Sequence, residues 1–183
     1  EFRQKYYLNK LLRGLILSLG IALFFFLALF VFFYLTYPSA KVKTILTSIC
    51  IVINCIVLIK WVLSPLLSYF KIGKVISPEE AAVFIGGQLN NVQDKIVNTL
   101  QLHALSSQAN NSIILAGIDQ KITELKPIPF TKAINLKENK KFTKWVFIPL
   151  SVILLIGFIA PAVLKEGTNN LLKLNQTIVP PAP

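Results

Sequence analysis

Apolar residues gather along this chain into three long stretches, Leu15 to Leu35, Ile45 to Leu67 and Val146 to Leu164. Each exceeds the ~18 residues that mark a membrane-crossing helix. Between the second and third stretches the pattern changes to short amphipathic runs broken by Gly, Pro and Ser. Together these patterns predict an all-α membrane protein, with three transmembrane helices and a small cytoplasmic three-helix insert between the second and third. The predicted divisions are a basic cytoplasmic segment at 1–14, a membrane hairpin at 15–67, the insert at 68–145, the third span at 146–164 and an extracytoplasmic linker at 165–183.

Within the insert, Ser77, Pro78, Glu79 and Glu80 spell a helix start. Ser77 is the N-cap, Pro78 takes the first helical position, and Glu80 closes a capping box. That helix is expected to end near Gly86 and Gly87, where glycine allows the positive φ of a helix stop. A second helix is expected over about Val92 to Ser106 and a turn over Ser106 to Asn111. A third starts near Ser112 and is stopped by Pro127 and Pro129. Three short helices bury little apolar surface alone, so the insert needs a staple from the membrane surface, the spans or a partner. The return over Pro127 to Lys141 reads as irregular.

The hairpin turn is assigned to Tyr37 and Pro38, because proline interrupts helix propagation where the chain leaves the bilayer. A cleaved signal peptide fits poorly, since the first apolar core is too long and a second span follows directly. In the third span, Pro149 falls in the opening turn, while Pro161 near the far end predicts a kink. Beyond it, Glu166 to Asn170 looks turn-like and Val179 to Pro183 extended.

Charge gives a direction. Four Lys/Arg precede the first span and ten Lys separate the second from the third, whereas only Lys41, Lys43, Lys165 and Lys173 flank the other ends. By the positive-inside rule the N-terminus is cytoplasmic and, after three spans, the C-terminus is on the far side of the membrane, in the periplasm if the source is a Gram-negative bacterium. Tyr34 and Tyr37 mark the outer end of the first span, and Trp61 and Trp145 the inner ends of the second and third, as aromatic residues at headgroup level do. Lys60, beside Trp61, is placed to snorkel its ammonium to that interface.

A net charge of +11 invites a nucleic-acid reading. About half of the basic residues flank spans, however, and no aromatic interleaving accompanies the Lys run before the third span, so membrane lipid rather than nucleic acid is the expected partner. Cys50 and Cys55 lie ~140° apart around one helix, cannot bridge, and are read as apolar fillers. With a single His, His103, no zinc-type ligand set exists, and no nucleophile, base and orienting acid or paired carboxylates stand together. No catalytic residue, metal site or cofactor is therefore expected, and the chain is read as non-enzymatic. Asn54 is the one strongly polar side chain in the middle of a span, and its amide is expected to hydrogen-bond between helices.

The chain begins at Glu1 without any Met and closes in a Pro-rich connector, which suggests a piece of a longer protein with an extracytoplasmic domain following. The run from Ile76 through Ser77, Pro78, Glu79, Glu80, Ala81 and Ala82, with Gly86 and then Asp94 to Leu102, resembles the N-terminal region of a family of large Bacteroidota envelope proteins known as a domain of unknown function. Pro127 to Phe130 and Val179 to Pro183 are similar too. The resemblance implies a membrane hairpin, a cytoplasmic helical insert, a third span and a long extracytoplasmic part, and it brings no active site. The expected role is an inner-membrane anchor and scaffold subunit of an envelope complex, with other envelope proteins as partners and the oligomeric state open. Two alternatives stay open: a non-catalytic subunit of a transport or secretion machine, for which Lys60 is the one ionisable candidate, and a membrane-tethered regulator acting through the insert.

Overall fold

The computed structural model describes residues 1–89, 92–106 and 112–176. Its elements are α1 (Phe2–Thr36), α2 (Ala40–Leu58), α3 (Ser64–Tyr69), α4 (Pro78–Gln88), α5 (Gln93–Ser106), α6 (Ser112–Leu125), α7 (Lys144–Ile159) and α8 (Pro161–Leu172), and no strand occurs among the described residues. The chain forms two compact units, Glu1–Asn9 with Leu67–Leu136, and Lys10–Leu66 with Lys137–Pro183.

Three helical runs are long and apolar enough to cross a membrane: Phe2–Thr36, Ala40–Tyr69 and Phe130–Ile159. Their side chains face outward, with Phe158 92% and Phe24 62% exposed. Water would reject so large an apolar surface, whereas lipid hydrocarbon accepts it and forces the backbone to satisfy itself as helix. This is a membrane-embedded all-α protein.

In the second unit, α1 and α2 are joined by residues 37–39, where Tyr37 adopts φ +44° ahead of Pro38. The second span is continuous but irregular. Residues Ile59–Leu63 form a π-turn in which the Ser64 N–H reaches back to the Ile59 carbonyl. Pro65 follows directly; it has no N–H to give, and in a regular helix its ring would collide with the carbonyl four residues back, so the helix widens just before it.

The far end of the third span differs from expectation. Pro161 does not merely kink a helix that continues to Leu164: α7 ends at Ile159, Ala160 sits at φ −140° and ψ 69°, and Pro161 opens α8. Residues 166–170, expected as a turn, are helical. Proline at the first position is pre-organised for a new helix. Tertiary contact then outweighs the weak local propensity of Gly167 and Asn170, since Gly167 abuts the Phe30 ring of α1 and Asn170 is 2% exposed. The extended reading of 179–183 lies outside the described residues.

In the first unit, α4, α5 and α6 enclose Ile85, Val92, Leu125 and Ala133, with Phe2, Leu89, Ile96 and Phe130 packed around them. The stop falls next to Gly86 and Gly87, as expected, with α4 ending at Gln88, but neither glycine has positive φ: the extended backbone of Leu89 (φ −121°, ψ 110°) ends the helix, its N–H still donating to the Ile85 carbonyl. The turn expected over 106–111 falls mostly outside the described residues. The return expected to be irregular contains 3-10 turns at Phe130–Ala133 and Leu136–Phe142. The staple proves to be the start of α1. Phe2 and Tyr6 lie against Phe84 at ring-centroid distances of 6.1 and 5.1 Å, Lys5 Nζ donates to the Thr131 carbonyl at 2.7 Å, and the Ile76 N–H donates to Tyr7 Oη at 2.7 Å.

Candidate functional site

The feature that organises the spans is a short repeated segment. Lys60-Trp61-Val62-Leu63-Ser64-Pro65-Leu66 and Lys144-Trp145-Val146-Phe147-Ile148-Pro149-Leu150 agree at five of seven positions. In each, proline stands four residues after tryptophan, so the tryptophan carbonyl is denied its ordinary i+4 donor. Both carbonyls face glycines of α1. The Trp61 carbonyl lies where a side chain at Gly14 would begin, and a Cβ at Gly20 would stand 2.8 Å from the Trp145 oxygen. Small residues allow this approach between membrane helices, and glycine Cα–H groups can face the carbonyls directly. The repeat was readable in the sequence, as two short W-x-x-x-P segments at the basic ends of two spans.

Beside these contacts α1, α2 and α7 leave a cleft of about 590 Å³, walled by Leu15, Leu19, Leu58, Val146 and Phe147. Three polar side chains, Ser18, Asn54 and Thr143, also line it. Each turns its donor back on its own segment: Ser18 Oγ to the Leu15 carbonyl at 3.1 Å, Asn54 Nδ2 to the Cys50 carbonyl at 3.0 Å, and Thr143 Oγ1 to the Lys140 carbonyl at 2.7 Å. Such back-bonding satisfies one donor of each side chain in hydrocarbon without a partner helix. The bond made by the Asn54 amide is thus within α2, although its side chain lies in the wall of a cleft shared by three helices.

Basic residues and rings meet near the start of α7. The Arg13 guanidinium lies 4.3 Å from the Phe142 ring centroid, and Lys144 Nζ lies 5.7 Å from the Trp145 ring. Lys60 is exposed within the π-turn, Trp61 is half-buried, and Trp145 is exposed. At the opposite end of α1 the rings of Tyr34 and Tyr37 are 6.4 Å apart. Lys43, counted among the flanking charges, is 0% exposed, and its Nζ donates to the Gln176 carbonyl at 3.3 Å.

In the first unit, Ser77 Oγ accepts from the Glu80 N–H at 3.1 Å while Glu80 Oε2 accepts from the Ser77 N–H at 3.2 Å, which is the reciprocal capping box. The Glu79 carboxyl is held below the usual carboxylate range by its own backbone N–H and then by the Ser77 hydroxyl. Among the described residues no three of His, Cys, Asp and Glu group to hold a metal ion, and Cys50 and Cys55 are free thiols.

No family model, curated protein or solved structure matches the chain.

Proposed function

We propose that this chain is an inner-membrane anchor and scaffold subunit of a bacterial envelope complex, non-enzymatic, with its N-terminus and helical insert on the cytoplasmic side. The insert offers the docking surface, and the chain beyond the third span leads into an extracytoplasmic part. The observation that carries this reading is the division of apolar residues in the insert. One set closes a core on the start of α1, while Val83 on α4, Leu105 on α5 and Ile122 on α6 remain 57%, 58% and 49% exposed. Residues of this kind on a stapled, pre-formed cluster suit a protein partner, because little ordering entropy remains to be lost on binding.

The transport alternative has weaker support, since the polar groups lining the intramembrane cleft bond to their own backbone instead of presenting a path. The test is the mass and composition of the particle released from gently solubilised membranes. A stoichiometric set of envelope proteins is expected, and Val83→Asp with Ile122→Asp should release it while the protein stays folded. A homo-oligomer alone, or a particle unchanged by those substitutions, would overturn the scaffold reading.

A further inference from the structure

The segment that leads into the third span carries its charge on two exposed ridges of a 3-10 turn. Leu136–Phe142 has about three residues per turn, so side chains three apart eclipse one another. Burial follows that period: Asn139 is buried, Leu136 and Phe142 are half-buried, and Lys137, Glu138, Lys140 and Lys141 are exposed. Lys144 follows, also exposed, at the start of α7. Four lysines thus stand over residues 137–144 against Glu138 alone.

Distances add an arginine from another helix. The Arg13 guanidinium of α1 lies 4.3 Å from the Phe142 ring centroid and Lys141 Nζ lies 5.6 Å from the same centroid, so the two cations are within about 10 Å of each other. That separation is comparable with the ~8 Å Debye length of physiological salt, and their fields add. The ring holds the guanidinium there by cation–π attraction. Three residues further on, Lys144 Nζ sits 5.7 Å from the Trp145 ring. Among the described residues the one carboxylate paired with Arg13, Lys141 or Lys144 is Glu138, 3.8 Å from Lys141 in an exposed pair that offsets little charge.

The neighbouring residues fix what lies against this cluster. Phe147 and Ile148 of α7 are exposed, as is Leu15, which is ~3 Å along the α1 axis from Arg13. Exposed apolar side chains on membrane-crossing runs belong in hydrocarbon, and Ile148 is one helical turn from Lys144. The cations therefore stand at the boundary of the bilayer, the depth that Trp145 also favours. An excess of cations at that depth attracts a headgroup of net negative charge over a zwitterionic one.

We infer that Arg13, Lys141 and Lys144, with Lys140 on the adjoining ridge, bind the phosphate-bearing headgroup of an anionic phospholipid at the entry to the third span. The site needs no protein partner, so it stands or falls separately from the scaffold reading.

The experiment is native mass spectrometry of the full chain released from nanodiscs of equal phosphatidylglycerol and phosphatidylcholine, with the ratio of the two retained lipids as the readout. The wild type should retain phosphatidylglycerol in excess. Arg13→Gln with Lys141→Gln should lower that excess by up to roughly fivefold per charge removed. Phe142→Leu leaves every charge in place but frees the guanidinium, and it should lower the excess too. Lys95→Gln with Lys121→Gln takes the same charge from α5 and α6 and should leave the ratio as it is. Equal retention of both lipids by the wild type would overturn the inference, as would a ratio that the α5 and α6 variant lowers as far as the Arg13 and Lys141 variant does. An acidic protein retained in place of lipid, and lost with Arg13→Gln and Lys141→Gln, would assign the cluster to a protein partner instead. The charge variants alter only side chains at the surface, so the ratio stays readable even if Phe142→Leu fails to fold.

Discussion

Gly20 of the first span packs on the backbone carbonyl of Trp145, so closely that a Cβ would stand 2.8 Å from the oxygen. Carbon cannot sit at that distance from a carbonyl without displacing a helix. Gly20→Ala is therefore expected to lower stability by about 1–3 kcal/mol, the usual range for overpacking. Gly14→Ala should be worse, because the Trp61 carbonyl lies closer still. Thermal unfolding in detergent measures both. A midpoint unchanged by Gly14→Ala would mean that the spans do not meet there.

A second expectation concerns Tyr7, which is 5% exposed and accepts the Ile76 N–H at 2.7 Å. Tyr7→Phe removes the acceptor but keeps the ring, leaving that backbone donor without its partner. The loss should be about 1–3 kcal/mol, felt locally at the entry to α4. Amide hydrogen exchange at Ile76 should accelerate in the variant, and unchanged protection there would show that the bond contributes nothing.

The three spans were legible because lipid imposes one requirement on a long stretch, and composition alone reports it. The start of α4 was legible for a similar reason, since Ser77 and Glu80 bond within one turn. What escaped depended on distant atoms. Gly14 and Gly20 look like ordinary weak helix positions until the Trp61 and Trp145 carbonyls are placed against them. Residues 166–170 have turn-like composition, and only the Phe30 ring against Gly167 shows why they stay helical. Phe2 and Tyr6 gave no local sign that they would serve as the staple of the insert, because Phe84 lies far along the chain.

At the α4 cap, Ser77→Ala should cost about 1 kcal/mol by orphaning the Glu80 N–H. It should also move the titration of Glu79. The Glu79 carboxyl is depressed first by its own backbone N–H and then by the Ser77 hydroxyl. A group whose folded pKa lies below its unfolded value lends stability in full above the unfolded value and loses it as pH falls through the folded one. Acidification through that window should thus loosen α4, and Ser77→Ala should raise the Glu79 titration toward the ordinary carboxylate range. Carboxyl chemical shifts followed through a pH titration decide it. A Glu79 curve that Ser77→Ala leaves in place would remove the hydroxyl from the account.

Lys43 offers the sharpest contrast between charge and volume. Its side chain is 0% exposed, and among the described residues its ammonium meets the Gln176 carbonyl and no carboxylate. A buried charge with so little compensation is held by the packing of its long stem more than by its own electrostatics. Lys43→Met keeps most of the stem and discards the charge, so its melting midpoint should equal or exceed that of the wild type. Lys43→Ala removes the stem and leaves a cavity, with an expected loss of about 2–4 kcal/mol. If Met fell as far as Ala, the ammonium and its bond to Gln176 would be what secures this end of α2, and the packing account would be wrong.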